Sequence, residues 1–251
     1  MKNFLKNLVY FLRSWFKQVF FLGRRRAVAL MYHSISLDNN FFSVRPEIFA
    51  KQIDYLKRNN YRVISLADLE KYLSAGAIPP KTVVITFDDG FDNNYFNAWP
   101  VLRRDNLPAA IFAAASLVGR SVETRNGAEL PMLNYQELKE MSQSGLITIG
   151  AHGFSHKKLV NLSDKELEFE LARGRSELAE KLGAEIDFLA FPFGSFNKQV
   201  ESVAGKYYQL AFSTNPGTIG PNDNLYALKR NSIDSRVSFY QFKHIVQYGR
   251  I

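Results

Sequence analysis

Five side chains have the chemistry and the placement to act on a substrate: His33, Asp88, Asp89, His152 and His156. Asp88 and Asp89 are adjacent in TFDDG, directly after the β-branched run Thr82 to Ile85. Neighbouring strand residues point to opposite sides, and two like charges beside a core oppose each other's ionisation. His152 and His156, in HGFSH, are four residues apart, so one helical turn or a tight loop aims both imidazoles at one point. One Asp and two His suit Zn²⁺ or a similar divalent ion and leave a position open for water or substrate. Each piece alone has an ordinary reading: Asp-Asp-Gly makes turns, and paired histidines cap helices or bond within a core. Their joint appearance at the ends of separate strands favours a site.

The elements that position them alternate along the chain. Strand-like runs cover 27–35, 61–66, 82–87, 109–115, 146–152, 188–194 and 210–214. Helical patterns cover 46–59, 66–75, 93–105, 134–144, 163–182 and 197–208. The helix at 163–182 is the clearest, with Ser163 to cap it, Glu166 at the capping-box position and Gly183 to end it. Repeated β-then-α units imply a parallel sheet, open or closed into a barrel. Function in such folds collects at the C-terminal ends of strands, where His33, Asp88, Asp89, His152 and His156 fall. His244 lies apart, in a C-terminal helical segment that suits a surface role. Residues 116–133 lack periodicity and read as a loop over the site.

The chain has 251 residues, 46% of them hydrophobic, and no cysteine. It can bury one large core, and disulfides, thiolate metal sites and cysteine nucleophiles are excluded. The sequence pI is about 9.5. Of the 32 Lys and Arg, however, seven (Lys2, Lys6, Arg13, Lys17, Arg24, Arg25, Arg26) precede the first acidic residue, Asp38. The remaining 25 face 24 Asp and Glu, so the body is near neutral and nucleic acid is not the expected partner. In residues 1–26, Phe4, Leu5, Leu8, Val9, Phe11, Leu12, Trp15, Phe16 and Val19 fall on one half of a helical wheel. Cationic and polar residues fill the other. Lys6, Arg13 and Lys17 interrupt any signal-peptide or spanning run, and no small-residue cleavage site follows. The expectation is an amphipathic helix on an anionic membrane surface, with 27–251 as a second, catalytic unit.

TFDDG, HGFSH and FPFG, in that order and spacing, resemble the polysaccharide deacetylases with a NodB-type, carbohydrate esterase 4-like domain. LMYHSI near the start resembles the permuted branch typified by poly-N-acetylglucosamine deacetylases. The resemblance spans residues 27 to 235 and implies an α/β fold, a distorted (β/α) barrel of about seven parallel strands, matching the seven strand-like runs. It implies one divalent ion, Zn²⁺ first and Ni²⁺, Co²⁺ or Mn²⁺ otherwise, on Asp89, His152 and His156. Asp88 then matches the general base and His33 the acid that protonates the leaving amine. The backbone N–H of Phe193, after Pro192, matches the oxyanion donor. The implied reaction removes an N-acetyl group from an amino sugar.

The sequence departs from the family at three points. The usual Arg two positions before Pro192 is Ala190, and the candidate to orient Asp88 in its place is Arg230, in YALKRNSI. The common tyrosine is Phe193, and no Leu-x-His follows near the C-terminus, which supports His33 as the acid. Phe91, Tyr95 and Phe154 are candidates for stacking on a sugar or for core packing. The substrate is expected to be a polysaccharide or a lipid-linked glycan at the cytoplasmic face of a bacterial cell membrane. A deformylase or another amidase acting on a lipid-linked sugar would need the same machinery. A catalytically silent glycan-binding module would have lost the base or a ligand, and all are present.

Overall fold

A computed structural model describes residues 25–123, 127 and 129–250. The proposed amphipathic helix of residues 1–26 therefore lies almost wholly outside the described residues. Eight parallel strands form one curled sheet: β1 (Ala27–Tyr32), β2 (Arg62–Val63), β3 (Thr82–Phe87), β4 (Ala109–Ala113), β5 (Ile147–Ala151), β6 (Phe188–Ala190), β7 (Leu210–Phe212) and β8 (Asn231–Ser232). Seven of them run in the spatial order β7-β6-β5-β4-β3-β1-β8, a half-barrel, and short β2 pairs beside the start of β3. Residues 225–232 hydrogen-bond to both edges. The Leu228 N–H donates to the Ala211 carbonyl at 3.0 Å, and Asn231 is in register with Leu30 of β1. One segment thereby draws the two rims together, as the distorted barrel expected from the sequence requires.

Side-chain alternation sorts the strands' residues into two layers. Val28, Leu30, Tyr32, Val83, Ile85 and Phe87 pack outward under the helices, in one large cluster. Ala27, Ala29, Val84, Ala110, Phe112, Ala190 and Phe212 form the inner cluster. Small alanines on that side leave room at the centre for larger groups. Strands buried on both faces explain why 27–32 and 82–87 read as near-continuous apolar and β-branched runs.

Seven α-helices flank the sheet among the described residues: α1 (Pro46–Arg58), α2 (Leu66–Ser74), α3 (Trp99–Arg104), α4 (Tyr135–Gln143), α5 (Asp164–Leu182), α6 (Lys198–Tyr207) and α7 (Phe239–Tyr248). Glu166 accepts from the Ser163 N–H at 2.9 Å, and Gly183 ends α5 at φ +66°, as the sequence signals indicate. Three expectations change. The helix expected over 93–105 begins as a π-turn, Asn94–Ala98, before α3. The strand expected over 61–66 shrinks to two residues, because Ser65 turns to cap α2 by accepting from the Asp68 N–H. The loop at 116–133 contains a short antiparallel ladder, Ser121–Glu123 with Glu129–Pro131.

Candidate active site

The adjacent carboxylates are resolved by the backbone. The Asp88 N–H donates to the Tyr32 carbonyl at 2.9 Å, so Asp88 still belongs to the ladder. Its side chain follows Val84 and Thr86 toward the barrel interior. Asp89 then adopts φ +69° and Gly90 φ +83°, which ends the strand alternation at once. Left-handed geometry at a non-glycine residue costs about 1–3 kcal/mol and persists where surrounding contacts enforce it. Here it brings the second carboxylate to the first one's side of the sheet.

Asp89 Oδ1 lies 3.4 Å from His152 Nε2 and 3.1 Å from His156 Nε2. One ligand atom from each of the three lies within 4.8 Å of the others. His152, at the end of β5, is buried, and its Nδ1–H donates to the Ala190 carbonyl at 2.7 Å, which turns Nε2 toward Asp89. His156 reaches the same point from a residue at φ +58°. Burial pushes the Asp89 carboxyl up, but hydrogen bonds from both imidazoles and the charge of His33 hold it well below the usual carboxylate range. Two imidazole nitrogens and an ionised carboxylate on one side of a concavity are a donor set that fits a divalent ion.

Arg230 is wholly buried, its guanidinium lying over the adjacent rings of Phe112 and Phe212 at 5.4 and 5.9 Å. Its Nη1 and Nη2 donate to Asp88 Oδ1 and Oδ2 at 2.6 and 2.7 Å, a bidentate pair. Nη1 also donates to Thr86 Oγ1 at 3.2 Å and Nε to the Ser213 carbonyl at 3.1 Å. Burial alone would raise the Asp88 carboxyl; the Arg230 charge leads the opposing interactions and keeps it below its ordinary value. The guanidinium that the third motif lacks at Ala190 thus arrives from the segment that joins the barrel's edges.

A polysaccharide deacetylase family model matches residues 75–209, more than half of the sequence. The chain belongs to the polysaccharide deacetylase family. YxkH of Bacillus subtilis is 30% identical over 211 residues, 83% of this chain and 72% of its own length. A poly-β-1,6-N-acetyl-D-glucosamine N-deacetylase of Staphylococcus aureus is 27% identical over 245 residues, covering 88% of this chain and 82% of that one. Among solved structures, IcaB from Ammonifex degensii superposes with a TM-score of 0.79 at 28% identity, over 88% of this chain and 97% of that one. The Streptococcus pyogenes deacetylase PplD, in complex with acetate, gives 0.77 at 25% identity, over 87% and 97%.

Sequence reasoning missed what holds the histidine loop. Glu170 of α5 is 3% exposed, and its Oε2 accepts from the Phe154 and Ser155 N–H groups at 2.9 and 2.8 Å. Its Oε1 accepts from the Ser155 hydroxyl. One turn on, Gly174 sits so close to the loop that a Cβ there would lie 2.7 Å from the Gly153 carbonyl oxygen. The signal was present: Glu170 and Gly174 interrupt the buried stripe of Leu167, Leu171 and Leu178. Glu170→Ala should strand two partly buried N–H groups and loosen the loop between the two histidines. Expected are a fall of about 1–3 kcal/mol in stability and about 10–100-fold weaker Zn²⁺ binding, read by thermal melts and calorimetric titration. Unchanged affinity would reduce Glu170 to a packing role.

The opposite side of the mouth carries His33, half-buried, whose ring lies 6.2 Å from that of Phe42. It is near enough for its charge to be felt at Asp88, Asp89 and Asp234. Asp234 is a second residue the sequence did not flag. Burial opposes its ionisation, yet Arg236, hydrogen-bonded at 2.5 Å, and His33 keep it below the ordinary range. His244 is elsewhere, on α7 against Tyr248.

Of the two readings open to the aromatic candidates, the contacts favour packing. Phe91 is buried against Leu130 and Met132, Tyr95 donates to Glu140 at 2.7 Å, and Phe154 packs on Phe169. Among the exposed rings are Phe193, 4.6 Å from the His156 ring and following Pro192, and Phe41, beside Phe42. Phe193 adopts φ +59°, within the short 3₁₀ turn Pro192–Gly194 that follows β6.

Proposed function

We propose that the protein hydrolyses the acetamide of an N-acetylated amino sugar, within a polysaccharide or a lipid-linked glycan. The observation that carries this is the pairing of a three-ligand cluster with a neighbouring carboxylate held ionised by Arg230. Asp89, His152 and His156 would hold a divalent ion, with Zn²⁺ the first candidate and Ni²⁺, Co²⁺ or Mn²⁺ the others. Such an ion supplies polarisation of the attacking water and of the acetamide carbonyl. Asp88 takes the proton of that water. The Phe193 N–H stabilises charge developing on the carbonyl oxygen, its turn fixed by Pro192. His33 delivers a proton to the departing amine. The Staphylococcus relative named for poly-N-acetylglucosamine and the acetate bound to PplD both support this choice over a deformylase.

The test is acetate release from β-1,6-linked N-acetylglucosamine oligomers, from a lipid-linked N-acetylhexosamine, and from N-formyl analogues. The enzyme is loaded in turn with each ion, then stripped by chelation. Acetate from the N-acetyl substrates, lost on chelation and restored by Zn²⁺, is expected. Formate release without acetate would replace this reading by the deformylase.

We further propose that residues 1–26 dock the deacetylase on the anionic cytoplasmic face of a cell membrane. Support comes from the cationic face opposite Phe4, Leu8, Trp15 and Val19. No helix among the described residues is long and apolar enough to cross a membrane. Attraction of about 1 kcal/mol per basic residue near the surface should bring the full chain down with anionic vesicles, and salt should weaken this. A variant beginning at Arg26 should remain in solution and keep its activity on soluble oligomers. If it unfolds, and the full chain ignores the vesicles, the helix is part of the fold instead.

A further inference from the structure

His33 sits where the chain leaves the sheet. β1 ends at Tyr32, Ser34–Ile35 form a separate two-residue pairing with Ser43–Val44, and His33 between them belongs to neither ladder. What holds this stretch is a row of carboxamides in FDNNYFN, immediately after the paired aspartates. Asn94 Nδ2 donates to the His33 carbonyl at 2.9 Å. Asn93 Oδ1 accepts from the Ile35 N–H at 2.9 Å, and its Nδ2 donates to Ser34 Oγ at 3.0 Å. Asn97 Nδ2 donates to the Ile35 carbonyl at 2.7 Å. Each of the three residues His33, Ser34 and Ile35 is gripped by an asparagine.

The helix that carries these asparagines opens as a π-turn, in which the Trp99 N–H reaches the Asn94 carbonyl. Pro100 has no N–H to give the Phe96 carbonyl, so the regular α pattern is already broken there. Single π-turns inside helices are frequent at functional sites. Asn94 is 0% exposed, and its Oδ1 has no hydrogen-bond partner. A fully buried carboxamide with an unsatisfied acceptor is a poor choice for stability alone, since an apolar residue of similar shape avoids that cost. Its one donated bond goes to the residue that carries the imidazole.

We infer that Asn94, with Asn93 and Asn97 beside it, is a positioning residue for His33. It fixes the backbone from which the imidazole reaches the leaving amine, and this rests on the reading of His33 as the proton donor. The arrangement has a mechanical consequence. Residues 88–97 supply the base and one metal ligand at one end, and the grip on the acid at the other. The two halves of the proton relay are thus tied through ten residues of one segment as well as through the ladder that joins Asp88 to Tyr32.

The experiment compares an N-acetylglucosamine oligomer with 4-nitrophenyl acetate on the Zn²⁺-loaded enzyme. The amide's amine needs a proton to leave, whereas the nitrophenolate does not. His33→Ala should therefore lose about 10²–10⁴-fold in kcat on the amide and little on the ester. Asn94→Ala should show the same selectivity with a loss of about 10²-fold, the usual consequence of a displaced catalytic group. The double variant should be no slower on the amide than His33→Ala alone, because both changes remove one function. Asn97→Ala, which deletes a single bond at a half-buried position, should lose less in the same direction, and it serves where Asn94→Ala folds poorly.

In the protein labelled at its four histidines, Asn94→Ala should move the His33 imidazole signal in NMR spectra and leave that of His244 in place. Equal losses on amide and ester overturn the inference. So do losses that multiply in the double variant, or an Asn94→Ala enzyme with a normal amide rate. If His33→Ala itself loses both activities alike, the acid assignment falls and the inference with it. Selectivity in His33→Ala but not in Asn94→Ala removes the inference alone.

Discussion

Asp88→Asn should bind its divalent ion and still turn over about 10²–10⁴ times more slowly on an N-acetylated glycan, because an amide cannot take the proton of the attacking water. Asp89→Asn should lose ion and turnover together. The structure adds a complication that the sequence does not show. Asp88 is the bidentate partner of a wholly buried guanidinium, so the Asn variant leaves the Arg230 charge uncompensated. Breaking such a pair on one side costs about 3–5 kcal/mol, and the Asp88→Asn protein should melt well below the parent. Adding Arg230→Met removes the orphaned charge and should recover much of that stability without recovering activity. Rates per ion-loaded folded enzyme, set beside the melts, separate the chemical role of Asp88 from its structural one. Equal metal content and equal rates in Asp88→Asn and Asp89→Asn would refute the division of labour.

Arg230→Met in the otherwise native chain should be as damaging, for a related reason. Burial is the strongest influence on Asp88 and pushes its carboxyl up; Arg230 leads the interactions that oppose it. Without the guanidinium the carboxyl rises, and a base must be ionised to act. The acid limb of kcat/KM should therefore move to higher pH, with a loss of about 3–5 kcal/mol in stability from the broken pair. The sign of the linkage is fixed by the depressed Asp88 value. The pair's stabilisation is complete above the unfolded carboxylate pKa and disappears as pH falls through the lower folded one. Arg230→Lys should restore the charge but not the two-point grip, and should recover the pH profile better than the rate. An acid limb unmoved in Arg230→Met would show that Asp88 owes its ionisation to something else.

How much of this was legible in advance depended on how local the cause was. TVVITF reads as a strand doubly buried in a parallel sheet because each residue contributes its own apolar surface, and the structure ends that strand at Phe87 as expected. LSDKELEFELARGRSELAEKLG likewise carries its own start and stop. Glu170 escaped notice because charge within a helical stripe usually means a solvated face; only packing against residues 153–155 shows that backbone donors wait there. Phe91 was open to two readings for a similar reason, since an aromatic ring beside a site looks the same in sequence whether it faces a substrate or the core.

The alternating β/α order, the residue types of the site and the family are all legible locally, because periodicity, capping and short motifs are encoded within a few residues of where they act. Tertiary structure alone decided which of them meet. It turns Asp89 through a left-handed backbone to join Asp88 on one side of the sheet, a conformation that no side-chain type announces. It brings Arg230 across 142 positions of chain to Asp88, over the rings of Phe112 and Phe212. It also sets Asn94 under His33, 61 positions away. A buried charge or carboxamide is tolerated only where distant partners compensate it, and those partners are fixed by strand order and register, which no local stretch of sequence contains.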